Sequence, residues 1–182
     1  MRVRAVGAAI AISVCLPVAG PAQAEGGATE ATTAGTTCTW GGTPAAPTGT
    51  FTLSPGLTNT PAPRPLAFEA TGVLGGDPAC HGTFRFTGQF DAGSTCPLIS
   101  FEGIAKGLPS VRYFQGKDSV LGTGLPPTEL FDQHHGLLGY ESAQVLTVAN
   151  APSFTDCNSP AGLRGGTFSS VIYLFASPND SK

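Results

Sequence analysis

The run Phe84-Arg85-Phe86-Thr87-Gly88-Gln89-Phe90-Asp91 constrains this chain more than any other feature. Phe84, Phe86 and Phe90 fall on one side of an extended chain, with Gly88 between them. Arg85, Thr87, Gln89 and Asp91 fall on the other. A period of two demands a strand with one buried and one solvated face. Asp91-Ala92-Gly93-Ser94 supplies turn residues. Residues 98–105 follow with Ile99 and Phe101 on one face, so the segment predicts a hairpin. Further strand candidates are 50–53, 66–74, 111–115, 144–149 and 168–175. The last carries apolar residues on both faces, as in a sheet covered on both sides. Prolines 44, 47, 55, 61, 63 and 65 exclude a helix over 41–65. A turn or two of helix is expected only at 127–133, where Thr128 would cap it. Roughly seven to nine short strands with regular turns define an all-β fold. An antiparallel sandwich is the first reading, and a closed antiparallel β-barrel the alternative.

The N-terminus carries Arg2 and Arg4, an apolar stretch over 5–19, and Ala22-Gln23-Ala24. Basic start, apolar middle and small-residue end make a cleavable signal peptide over 1–24. The apolar stretch is shorter than the about 20 residues of a membrane span, and Cys15 falls within the discarded segment. Residues 25–36 read as a flexible leader, 37–177 as a single β domain and 178–182 as a tail. The mature protein is therefore expected to be secreted and extracellular. Without Arg2 and Arg4 it keeps seven basic residues against twelve acidic ones. Scattered charges of that balance offer no footprint for nucleic acid or for a membrane after signal cleavage. The oligomeric state is left open.

Four cysteines remain: Cys38, Cys80, Cys96 and Cys157. An even count in an exported chain implies two disulfides, and no pair has the close spacing of a zinc site. If 84–91 is a strand, Cys80 and Cys96 lie at its opposite ends, roughly 25–30 Å apart. A disulfide needs Cα atoms within about 7 Å, so these two cannot pair. Strand 66–74 must run towards Cys80 and strand 50–53 away from it, which brings Cys38 to the Cys80 end. The expected bridges are Cys38–Cys80 and Cys96–Cys157.

The stretch Thr50-Phe51-Thr52-Leu53-Ser54-Pro55-Gly56-Leu57-Thr58-Asn59-Thr60-Pro61 resembles an SPGLT element of small secreted actinobacterial β-rich proteins. Cys80, the Gly/Thr-rich strand 82–90 and Cys96 follow as they do there. The likeness covers roughly residues 38–105. Those proteins have no assigned activity, so the resemblance implies a secreted β domain and transfers no functional residue.

Candidate chemistry is sparse. His134 and His135 are adjacent, with Glu129, Asp132 and Glu141 nearby, and Asp132 and His134 have i,i+2 spacing. A metal site there needs a further ligand such as His81, and a polar loop with two histidines is more often simply solvated. No catalytic residue and no cofactor is assigned: nucleophile-elbow, Walker, dinucleotide and calcium-loop patterns do not occur. Asp91 with Glu102, or Glu129 with Asp132, could pair for sugar hydrolysis, but any chain with this many acids offers such pairs. Trp40, Tyr113, Phe114 and Tyr140 could form a stacking platform for sugars or peptides. Alternatively, Trp40 packs beside the Cys38 disulfide. Residues 162–166 read as a flexible connection.

The expected function is a secreted, non-enzymatic extracellular binding or surface-associated module of unknown ligand. The rivals are a secreted hydrolase or metal-dependent enzyme using its histidines, and a secreted protease inhibitor presenting loop 91–97. A pocket holding Ser, His and an acid would favour the enzyme. A flat aromatic strip would favour the binder, and a protruding loop at a disulfide the inhibitor.

Overall fold

A computed structural model describes residues 35–120, 127–147 and 156–176. The alternation seen in the sequence becomes strands that are longer than the pattern alone implies. In chain order they are β1 (Thr36–Trp40), β2 (Gly42–Thr43), β3 (Ala46–Pro47), β4 (Gly49–Leu57) and β5 (Leu66–Gly76). Then come β6 (Thr83–Phe90), β7 (Ile99–Lys106), β8 (Tyr113–Asp118), β9 (Thr128–Phe131), β10 (Leu137–Thr147) and β11 (Leu163–Leu174). Each strand from β4 to β11 pairs antiparallel with the next. β11 then returns to pair with β4, Gly165 opposite Thr52 and Phe168 opposite Gly49. The sheet is thus a closed eight-stranded, up-and-down barrel.

This corrects the first architectural reading. The fold is all-β, but it is the closed barrel and not the sandwich. The reason lies in β11, whose twelve residues are long enough to pair with β10 on one side and with both β4 and β1 on the other. Closure removes the sheet edges that a sandwich must leave.

β1 and β4 occupy one slot of the barrel end to end. β1 fits between β11 and β5, with Cys38 opposite both Ile172 and Gly76. Between the two strands the chain leaves the wall as the small β2–β3 hairpin and returns at Gly49. The neck of this excursion is pinched shut: the Gly41 carbonyl accepts from the Thr48 and Gly49 amides at 2.7 and 3.0 Å. Gly41 has φ +75°, and a Cβ there would lie 2.8 Å from both the Gly49 Cα and the Phe168 carbonyl oxygen, so glycine is required.

The hairpin expectation holds. Phe84, Phe86 and Phe90 are buried while Arg85, Thr87 and Gln89 are exposed, and Phe90 pairs with Phe101 across β6 and β7. The helix expected at 127–133 does not form. Thr128–Phe131 is strand β9, with Thr128 and Leu130 facing in. Ladders to β8 and β10 on its two sides outweigh the local capping preference of Thr128.

Inward-facing residues form an aromatic core. Trp40 packs edge-on against Phe84, Phe86 and Phe168, and donates its indole N–H to the Phe84 carbonyl at 3.0 Å. Phe86 stacks on Phe114 with ring centroids 4.0 Å apart. Gly103 makes room for that ring, since a Cβ there would lie 2.6 Å from Phe114 Cζ. The disulfides Cys38–Cys80 and Cys96–Cys157 form as expected, one at each end of the barrel. At the Cys38–Cys80 end, buried Leu108 and Val111 close the interior. At the other end the 91–98 loop is stitched to its neighbours: the Cys96 amide donates to Thr58, and Ala62 and Ser94 are linked backbone to backbone.

Candidate functional site

The fold disperses the histidines singled out in the sequence, whereas Asp91, Glu102, Glu129 and Tyr140 line one concavity on the outside of the wall. His81 lies in the β5–β6 turn and His134 and His135 in the β9–β10 turn, at the same end of the barrel but four strands apart around the ring. Asp132 is used locally: its Oδ1 accepts from the His134 and Gly136 amides at 2.7 and 2.8 Å, which fixes the turn. These two bonds hold its pKa below the ordinary carboxylate value. His135 adopts φ 61° and stacks on Tyr113 with centroids 4.6 Å apart. Among the described residues, no three His, Cys, Asp or Glu side chains converge as metal ligands.

The expected aromatic platform is also divided. Trp40 and Phe114 are core residues, 2% and 1% exposed, whereas Tyr113 and Tyr140 lie on the outside of the wall. The 91–97 loop does not protrude, since Ser94 and Cys96 are buried within the stitched end. Residues 163–166 are not a loop: they open β11.

What the sequence did not single out as a site is the barrel interior at the Cys96–Cys157 end. A cavity of about 90 Å³ lies there, walled by rings including Trp40, Phe51, Phe86, Phe101 and Phe168. Two carboxyl side chains line it, Glu141 of β10 and Asp118 at the end of β8. Glu141 is buried and Asp118 half-buried. Period two places Gly139, Glu141 and Ala143 on the inward face of β10; Ala143 lines the cavity beside the carboxyl, whereas a Cβ on Gly139 would meet the Tyr173 carbonyl oxygen of β11. In the register Glu141 stands opposite Thr128 on β9 and Ile172 on β11.

The network around Glu141 is built from hydroxyls. Ser170 Oγ makes a short hydrogen bond with Glu141 Oε1, and Thr128 bonds the carboxyl from the other side. Ser170 Oγ also lies 2.9 Å from the Ser142 carbonyl oxygen. A hydroxyl has one proton, so Ser170 cannot donate to both acceptors. A neutral Glu141 resolves the conflict by donating to Ser170, which then donates to Ser142. Burial drives the carboxyl the same way, from the ordinary 4.5 up to about 7. The hydroxyl bonds partly oppose this shift, and the neighbouring Asp118 adds to it. Desolvation also raises Asp118, while a bond from the Ser119 amide at 2.7 Å restrains it.

Outside the barrel, two larger concavities of about 570 and 810 Å³ run over β6–β10, bordered by Gln89, Glu102, Gln115 and Tyr113, and by Lys117, Glu129 and Tyr140. Their polar side chains face solvent, and Gln115 donates to Glu129 at 2.8 Å. No protein-family model, curated protein or solved structure compared with this chain matches it.

Proposed function

We propose that this chain is an exported, non-enzymatic binding protein that takes a small molecule into the interior of its barrel. The carrying observation is the cavity with Glu141 buried in its wall. A closed barrel of eight strands is just wide enough either to be filled by side chains or to hold one small ligand. Here the Cys38–Cys80 half is filled, and the Cys96–Cys157 half is not. Ionisable side chains are rarely left in an apolar core without a charged partner, and convergent polar groups in an apolar cavity mark a binding site. Export is supported by the 1–24 signal pattern and by two disulfides, which fit an oxidising, extracellular-type compartment.

The test fills the cavity. Ala70 lines it and is itself buried, so Ala70→Leu places extra methyls where a ligand would sit. A nuclear magnetic resonance screen of neutral, anionic and cationic solutes, each small enough for the cavity, is expected to shift the amides of Thr128 and Glu141. The Ala70→Leu variant is expected to lose that response while keeping its sheet spectrum. A panel that leaves those amides unmoved, or shifts them equally in Ala70→Leu, overturns the reading.

A further inference from the structure

We propose that the ligand of this cavity is a small organic cation, an ammonium held between the aromatic walls and the Glu141 and Asp118 carboxyls. The inference rests on the binding reading above and adds the ligand class.

Charge carries the first part of the argument. Two carboxyls line the cavity, and no Lys, Arg or His among the described residues lines it with them. The side chains bonded to Glu141 belong to Ser170 and Thr128, hydroxyls that cannot supply positive charge. An anion entering here would find no cationic partner. An apolar guest would leave Glu141 protonated and call on neither carboxyl. A cation supplies the counter-charge with which Glu141 and Asp118 ionise.

The walls carry the second part. The negative faces of aromatic rings attract ammonium groups, most strongly where water is excluded, and a cage of several rings is the usual way to hold a methylated ammonium. Trp40, Phe51, Phe86, Phe101 and Phe168 all contribute to this cavity. A cavity of about 90 Å³ equals roughly three waters at their liquid volume of about 30 Å³ each, room for a compact ammonium head and little more. The half-buried Asp118 gives an entering cation an acidic contact before it reaches the buried Glu141.

The hydroxyl network supplies a proton-linked signature. A cation favours ionised Glu141, whereupon Ser170 turns its proton from Ser142 to the carboxylate and one proton leaves for solvent. Asp118 on β8 is the only other titratable group lining the cavity among the described residues. β9 and β11 contribute Thr128 and Ser170, and β1, β4, β5, β6 and β7 contribute apolar side chains. Cation affinity is therefore expected to rise with pH through the Glu141 titration.

The experiment is calorimetry on the exported chain with choline, and with 3,3-dimethylbutan-1-ol, in which carbon replaces the charged nitrogen. It is run on both sides of the Glu141 titration, at about pH 6 and about pH 8. Choline is expected to bind at least about tenfold more tightly than the alcohol at the higher pH, and to weaken several-fold at the lower. Glu141→Gln keeps the hydrogen bonds and is expected to cost choline about tenfold while sparing the alcohol. Asp118→Asn at the rim is a second variant, expected to weaken choline less. Equal affinity for the two probes, tighter binding of the alcohol, or choline affinity that both variants leave unchanged overturns the cation assignment and leaves the binding reading standing. Failure of both probes also overturns it, and the solute screen on Thr128 and Glu141 then decides the binding reading separately.

Discussion

Glu141 shows how much a single position depends on neighbours that are distant in sequence. In the run Leu137-Leu138-Gly139-Tyr140-Glu141-Ser142-Ala143, the acid reads like a solvated residue near the two histidines. The structure buries it instead, because register with Ile172 and Thr128 turns Glu141 inward. The readable trace was the alternation of small residues, Gly139 and Ala143, on the same face. A carboxyl raised from 4.5 to about 7 has a definite consequence for stability. Between those two pH values the folded protein holds a proton that the unfolded chain has lost. Stability therefore falls as pH rises through this window, and is flat with respect to Glu141 below and above it. Asp118 adds in the same direction. Asp132, whose pKa is lowered, acts in the opposite sense and at more acidic pH. Urea unfolding is expected to show the wild-type protein roughly 2–3 kcal/mol less stable at pH 8 than at pH 5 on account of Glu141. In Glu141→Gln most of that difference should vanish. A Gln variant that keeps the full wild-type slope would remove Glu141 as its source.

Among the elements, the legible ones were those whose pattern is local. Strand β6 and its hairpin to β7 follow from alternating phenylalanines; the length of β6 excludes a Cys80–Cys96 bridge, and the directions of strands 50–53 and 66–74 then select Cys38–Cys80. Elements made by distant partners were not legible. β1 is only Thr36-Thr37-Cys38-Thr39-Trp40, too short to stand out: Thr36 reads as the last residue of the leader and 37–40 as part of the domain with no strand assigned, and it is β11 and β5 on its two sides that hold it extended. β9 passes for a helix start until β8 and β10 hold it extended. The disulfides act on these non-local elements. Cys38–Cys80 closes a span of 42 residues and fastens β1 to the β5–β6 turn. Cys96–Cys157 closes 61 and fastens the segment before β11 to the β6–β7 connection. By loop entropy each bridge is worth about 4 kcal/mol. Cys96→Ser combined with Cys157→Ser is expected to lower the unfolding free energy in urea by that amount, with a somewhat steeper slope because the freed unfolded chain exposes more surface. A loss below about 1 kcal/mol would show that the stitched backbone at that end already holds the segment in place.

At the scale of the molecule, sandwich and barrel share the same strands and differ at one seam. That seam, β4 against β11, pairs Thr52 with Gly165 across most of the described chain. No local pattern announces such a pairing, so the sequence leaves the two architectures open. The same non-locality predicts an order of folding. The β5–β6 and β6–β7 hairpins close short loops. The seam closes a long one, and long closures are paid for in entropy before their contacts form. With both disulfides intact, the hairpins are therefore expected to be formed in the folding transition state and the seam to form after it. Leu163 is fully buried at the seam, opposite Leu57, and Leu163→Ala should cost about 2–5 kcal/mol. Nearly all of that loss should appear as faster unfolding, with the folding rate within about twofold of wild type. Phe86→Leu, in the β5–β6 hairpin, should instead slow folding. Stopped-flow chevrons of the two variants decide the order: a Leu163→Ala folding limb that drops in proportion to its lost stability would place seam closure at the barrier and make the barrel, not the hairpins, the folding nucleus.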